Sequence, residues 1–273
     1  MHDDIAAHYA SGGLLAAIID GLGRSGTTAE RATIDDLAPV DEFHIGGRPA
    51  TRRLCERIDI GADHHVLDIG CGIGGTARFL ASEFGCSVTG IDLTPEYIEV
   101  ARVLSGWTGL GERTAFTIGS ALDTGAVDGT FDRAVQIHVG MNIADKRSLF
   151  TEVHRVLRPG GEFGLYDIMS TAPGDVSFPV PWASNPSMSH IEPAAAYRAD
   201  LEAAGFDVVH VDDRGEFARD FFARLASAGD GGPPPLGLHV IMGADAPAKI
   251  ENMVAAVSAG TLAPTEIVAR KPG

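Results

Sequence analysis

The chain has 273 residues, of which 45% are hydrophobic and 21% charged, and its formal net charge is −16. That composition excludes a disordered chain, and the acidic excess excludes a typical binder of nucleic-acid phosphates. The length suits one large α/β domain with helical additions and enough chain to bury a substantial core.

The acidic opening Met1-His2-Asp3-Asp4 lacks the basic start of a secretory signal, and the apolar run at 14–19 is far shorter than the roughly 18 residues that span a membrane. The expectation is a cytoplasmic protein without membrane or nucleic-acid partners. Cys55, Cys71 and Cys86 show no CxxC spacing, so reduced, buried thiols are expected rather than a disulfide framework or a zinc site. No metal site is expected.

Apolar spacing at Ile5, Leu14, Leu15, Ile18 and Ile19 predicts a helical prelude over 3–36, broken by Gly, Ser and Thr at 23–28. The loop-like segment 41–47 precedes a helix over 49–58 with proline in its first turn. Short apolar runs then alternate with amphipathic stretches: strand 65–69, helix 74–84, strand 87–92 and helix 95–105. Strands 114–118 and 132–137, helix 145–157 and strand 162–167 continue the series, with a turn at Arg158-Pro159-Gly160-Gly161. This alternation predicts βαβ units and a parallel sheet.

A proline-rich connection over 171–192 reads as an ordered loop over a site, because long structureless connections are uncommon without a function. Helix 194–204, strand 206–211 and helix 216–227 follow, then a Gly/Pro linker at 229–235, a helix over 246–259 and a last strand over 265–270.

The sharpest motif is Val66-Leu67-Asp68-Ile69-Gly70-Cys71-Gly72-Ile73-Gly74-Gly75, a strand running into a glycine loop that opens a helix. Glycines permit a sharp turn and close ligand approach, and a helix N-terminus offers free N–H groups to an anion. Asp92 lies 18 residues beyond Gly74, at the end of the second strand, where a carboxylate can accept hydrogen bonds from both ribose hydroxyls. Gly70, Gly72 and Gly75 satisfy GxGxxG, which keeps a dinucleotide-dependent oxidoreductase open as an alternative.

Asp68 before the glycines, Gly90-Ile91-Asp92, the turn Gly119-Ser120-Ala121-Leu122, and 155–161 before the fifth strand occur in an order that resembles the class I S-adenosylmethionine-dependent methyltransferases. The resemblance covers about 44–212. Within the family, Phe43-His44-Ile45-Gly46-Gly47 and the block 145–167 look most like small-molecule enzymes, including the sarcosine and dimethylglycine N-methyltransferases. It implies a Rossmann-like, doubly wound sheet of seven strands with an antiparallel last strand. It also implies S-adenosylmethionine as cofactor, with Asp68, Gly70, Gly72 and Gly74 at its methionine portion and Asp92 at the ribose. Leu93, Ala121 and Leu122 would meet the adenine, and Gln136 would sit beside the reacting methyl.

The expected division is a helical cover over 1–60, a cofactor-binding core over 61–212, and a helical insertion with the final strand over 213–273. That insertion departs from the minimal pattern and leaves a lid or a homo-oligomer contact open. Methyl transfer from a sulfonium carries its own leaving group, so alignment and desolvation supply much of the catalysis and a base is optional. His138, after the fourth strand, is the candidate base or substrate contact; a histidine there serves equally to bond backbone.

Further candidates for the acceptor are His44, Tyr166, Asp167, Trp182 and His190. Asp167 either attracts an amine or caps a loop, Trp182 either lines a wall or anchors the loop, and Tyr166 either donates to substrate or packs. The acceptor is a small molecule methylated on N, O or C. A non-catalytic protein that binds S-adenosylmethionine is the remaining alternative.

Overall fold

The computed structural model describes residues 12–228 and 234–273. Seven strands form one sheet in the order β3-β2-β1-β4-β5-β7-β6. They are β1 (His65–Ile69), β2 (Ser87–Asp92), β3 (Thr114–Ile118), β4 (Phe131–Ile137), β5 (Leu157–Ser170), β6 (Asp207–Asp213) and β7 (Leu262–Arg270). The first five run parallel, and β7 lies antiparallel between β5 and β6. This is the expected doubly wound, Rossmann-like arrangement with an antiparallel last strand.

The helices are α1 (Leu14–Arg24), α2 (Ile34–Asp41), α3 (Gly47–Arg57), α4 (Gly75–Glu83), α5 (Pro95–Trp107), α6 (Lys146–Val156), α7 (Ala194–Ala203), α8 (Gly215–Ala228), α9 (His239–Met242) and α10 (Ala246–Ser258). Their starts are chemical. Thr33 and Asp36 form a reciprocal capping box on α2, Pro95 opens α5, and the Asp145 side chain accepts from the Ser148 N–H at α6.

Alternation along the central strands feeds two core layers. Leu67 and Ile69 of β1 join Leu149, Phe150, Phe163, Leu201 and Phe206 on one face, whereas Val66 joins Leu80, Val88, Ile98 and Val135 on the other. Each buried aliphatic or aromatic side chain contributes about 1.5–3 kcal/mol. All three cysteines are free and buried within the second layer. No helix among the described residues is long and apolar enough to cross a membrane.

Several boundaries differ from the sequence reading. The prelude over 3–36 is α1, a short 3-10 turn at Ala29–Arg31 and the start of α2, with its first residues outside those described. The turn expected at Arg158-Pro159-Gly160-Gly161 lies within β5, which starts at Leu157 opposite Phe131 and shifts register beside it. The same strand continues to Ser170 because β7 pairs with it from Arg270 back to Leu262, lengthening both beyond their apolar runs. The short α9 is an addition, and most of the Gly/Pro linker at 229–235 lies outside the described residues.

A buried ion pair fastens the helical cover to the core. Arg78 of α4 is fully buried, donates to the Asp41 carboxylate at the end of α2, and donates 2.8 Å to the Ile73 carbonyl in the glycine loop. Arg78→Leu leaves the Asp41 carboxylate buried without its partner and is expected to lower stability by about 3–5 kcal/mol. Urea unfolding with an unchanged m-value checks this.

Candidate active site

The glycine loop joins β1 to α4 with its backbone folded tightly against β2. The Gly70 and Cys71 N–H groups both donate to the Ile91 carbonyl, at 2.8 and 3.0 Å. Gly70, Gly72 and Gly74 have φ of +67°, +52° and +80°, the left-handed region that glycine tolerates. A Cβ on Gly70 would strike Val139, and one on Gly74 would strike Phe116, whereas one on Gly72 would meet nothing within 4 Å. Gly72 therefore exposes bare backbone to open space.

That space is a cavity of about 990 Å³. Gly70, Cys71 and Gly72 line one end with Thr76 of α4, Asp92 at the end of β2 and Leu93 after it, and Ala121 and Leu122 after β3. Asp92 Oδ2 accepts from the Gly72 N–H at 3.0 Å and Oδ1 from the Thr94 N–H at 2.8 Å. The Leu93 N–H and the Thr94 side chain also bond this carboxylate, which stands on the cavity wall beside Gly72. Burial raises the Asp92 carboxyl above its ordinary value.

Asp68 and Gly74 lie off the cavity wall. Asp68 is buried beneath the loop with Oδ2 unpartnered, and burial, reinforced by the Asp92 charge, pushes its carboxyl up to about 7. Gly74 is the N-cap of α4 and packs against Phe116 and Arg78. The open face of Gly72, the first turn of α4 and the Asp92 carboxylate on the wall fit a ligand with an anionic end and a vicinal diol.

The opposite floor is built where β4 and β5 end. Asp167 is fully buried and accepts from the Val139 N–H at 2.8 Å, the Gly140 N–H at 3.1 Å and Gln136 Nε2 at 2.6 Å. The Tyr197 hydroxyl of α7 lies 3.3 Å from the same carboxylate. Gln136, expected beside the reacting methyl, is not among the residues of the cavity wall, and its Nε2 is turned to Asp167. Of the two roles open to Asp167, the structure shows the one that holds the following loop, and its side chain is off the wall.

Between them, His138 has φ of +55° and donates its backbone N–H to the Tyr166 carbonyl at 2.7 Å. For a histidine this is an uncommon backbone conformation, of the kind that clusters at functional sites. Its ring lines the cavity, stacks on Tyr166 at 5.3 Å and meets His44 edge-on at 5.9 Å. Nε2 of His138 has no hydrogen-bond partner among the described residues. Burial first, and the adjacent His44 second, hold this imidazole well below the usual histidine value, so it is neutral at neutral pH.

His44 also lines the cavity, but its Nε2 lies 3.2 Å from the Gly47 carbonyl and 3.0 Å from Thr51 Oγ1, and burial lowers it to about 4. Neighbouring Glu42 is pushed up to about 7 by burial and then by Asp41. Tyr166 is buried behind His138, in a cluster with Ala50 and Leu54 of α3, and is absent from the wall. Trp182 both anchors and lines: its Nε1 donates to Ser189 Oγ at 3.0 Å while the ring forms cavity wall. His190 pins the proline-rich loop through backbone bonds to Met141 and Lys146 and does not line the cavity.

Sequence reasoning did not single out Met141, Asn142 or the apolar face of α8, α9 and α10, all of which line the cavity. The repeats Phe221, Phe222, Leu225 and Ile250, Met253, Val254 follow helical spacing, but spacing alone does not show which wall a helix face covers.

A family model described as a methyltransferase domain matches residues 66–161. Methyltransferase GfsG of Streptomyces halstedii is 33% identical over 208 residues, 74% of each chain. The chain belongs to the S-adenosylmethionine-dependent methyltransferases. A solved geranyl diphosphate methyltransferase superposes with a TM-score of 0.75 at 17% identity, covering 99% of this chain and 98% of its own. A structure described as a sarcosine dimethylglycine methyltransferase from Galdieria sulphuraria gives a TM-score of 0.65 at 20% identity, over 82% and 86% of the two chains. These two likenesses show the shared fold. Relatives whose names specify the acceptor atom include O-, N- and C-methyltransferases. This methyltransferase acts on a small molecule, with S-adenosylmethionine as its cofactor.

Gly140→Ala tests the floor of the site, because a Cβ there would lie 2.3 Å from Asp167 Oδ2. The substitution is expected to cost about 1–3 kcal/mol of stability and to slow turnover while leaving S-adenosylhomocysteine affinity unchanged. Thermal unfolding and calorimetry check the two parts.

Proposed function

We propose that this methyltransferase transfers its methyl group to a hydroxyl oxygen, with His138 as the general base. The observation that carries the reading is His138 itself, an imidazole of the cavity wall that is held neutral by burial and whose Nε2 makes no hydrogen bond among the described residues. An amine presents its own lone pair, whereas a hydroxyl becomes a strong nucleophile only as its proton departs. A neutral imidazole whose ring is fixed by stacking and by the backbone, rather than by its own hydrogen bonds, has a free acceptor for that proton.

S-adenosylmethionine supplies, when bound, an electrophilic methyl group on a sulfonium. Asp92 would take the ribose hydroxyls, Leu93, Ala121 and Leu122 the adenine, and the backbone at Gly70 and Gly72 with the first turn of α4 the methionine portion. Asp68 would act from beneath, supporting the loop. His138 would receive the acceptor's proton as the new O–C bond forms, and the apolar walls would exclude water from the transfer. The buried, unpaired cysteines suit a reducing compartment such as the cytoplasm.

Asp92→Ala removes two charge-assisted bonds and is expected to weaken S-adenosylhomocysteine binding by about 10–100-fold, read by calorimetry. Unchanged affinity contradicts the ribose assignment. His138→Ala is expected to lower kcat by about 10²–10⁴ with cofactor affinity retained. The sign of the pH dependence follows from the burial of His138. The base works unprotonated and its pKa is lowered, so the acidic limb of kcat falls below the ordinary histidine value of 6.5. An acidic limb at or above that value contradicts the assignment.

A further inference from the structure

The half of the cavity beyond His138 is built by different elements from the glycine-loop end, and its chemistry is one-sided. Met141, Trp182, Phe222, Met242, Met253 and Val254 contribute to its wall. No lysine or arginine lines the cavity among the described residues, and its carboxylate and imidazole groups are Asp41, Glu42, Asp92, Asp145, His44 and His138. Asp41 is engaged with Arg78, Asp145 caps α6, and His44 and His138 are held neutral. An acceptor carrying a carboxylate, sulfate or diphosphate would lose its hydration in such a space and gain no cation.

A second observation concerns the rim. Leu225 on α8 and Ile250 on α10 are 55% and 39% exposed, placing them among the few large hydrophobic side chains on the described surface, and both line this cavity. Apolar side chains left in water at the mouth of an apolar chamber extend its wetting surface outward, as expected where a ligand is not wholly enclosed.

Resting on the O-methyl reading above, we propose that the acceptor is an uncharged, largely hydrocarbon alcohol or phenol. Its hydroxyl would reach His138 while its far end lies across Leu225 and Ile250. Selection has two physical parts. Burial of hydrocarbon against α8, α9 and α10 attracts the acceptor, and the lack of a cation on the wall rejects anionic analogues. Amino acids such as sarcosine, and prenyl diphosphates, fall in the rejected class.

The test uses the full chain saturated with S-adenosylhomocysteine and the neutral apolar dye Nile red as the bound probe, with testosterone and testosterone sulfate as matched neutral and anionic competitors. Saturable dye binding is expected, displaced by testosterone about tenfold or more better than by its sulfate. Leu225→Asp and Ile250→Asp, at exposed positions where folding tolerates a charge, are each expected to weaken the dye by about tenfold without altering S-adenosylhomocysteine affinity. Leu225→Arg is expected to shift the preference toward the sulfate.

Equal displacement by the two steroids, absence of saturable dye binding, or rim variants with unaltered dye affinity would each overturn the proposal. Dye binding is expected to survive His138→Ala. Loss of the base assignment through normal turnover in that variant is therefore read separately from loss of the acceptor class.

Discussion

One buried carboxylate sets the geometry on which the active site depends. Strands β4 and β5 run parallel, and β4 ends at Ile137 opposite Tyr166 while β5 continues, so the chain leaving β4 must turn beside its neighbour. Asp167 directs that turn by accepting the Val139 and Gly140 N–H groups together with the Gln136 amide. The residue between strand and clamp is His138, driven into the left-handed region and stacked on Tyr166. Its ring is placed by backbone constraint, which leaves Nε2 without a structural duty. Burial makes the Asp167 clamp costly to disturb, since losing either side strands polar groups away from water.

The glycine loop supplies the opposing half by the same logic of backbone placement. Ile91 takes two consecutive N–H groups from Gly70 and Cys71, and Asp92 reaches back to Gly72. The two carboxylates 68 and 92 lie close enough that the second raises the pKa of the first. Helical cover then closes the chamber, with α1, α2 and α9 sharing one apolar cluster and α8, α10 and the proline-rich loop another.

The central sheet was legible because each strand is a short apolar run bounded by turn chemistry, and β1, β2 and β3 fall where the residues predict. Period and punctuation are local properties. The extra length of β5 was not legible, because Leu157 and Ser170 are recruited by pairing with distant partners. Within the site, Asp92 and His138 could be placed from strand ends, since ligands gather at the carboxyl edge of such a sheet. Gln136 and Asp167 occupy the same edge, yet they bond one another, and no spacing rule separates a side chain turned toward ligand from one turned toward its neighbour. The cap face of α8, α9 and α10 was hidden for a related reason: amphipathic spacing gives a buried stripe but not the wall that it covers.

The central claim is that the glycine-loop end would hold the cofactor and that His138 would take the acceptor's proton in the chamber beyond it. The most direct measurement is a crystal structure of the protein with S-adenosylhomocysteine. The account predicts ribose hydroxyls on Asp92 and the sulfur opening toward the His138 ring, with Trp182 and α10 beyond it. A sulfur facing away from His138, or a ribose not held by Asp92, would contradict it.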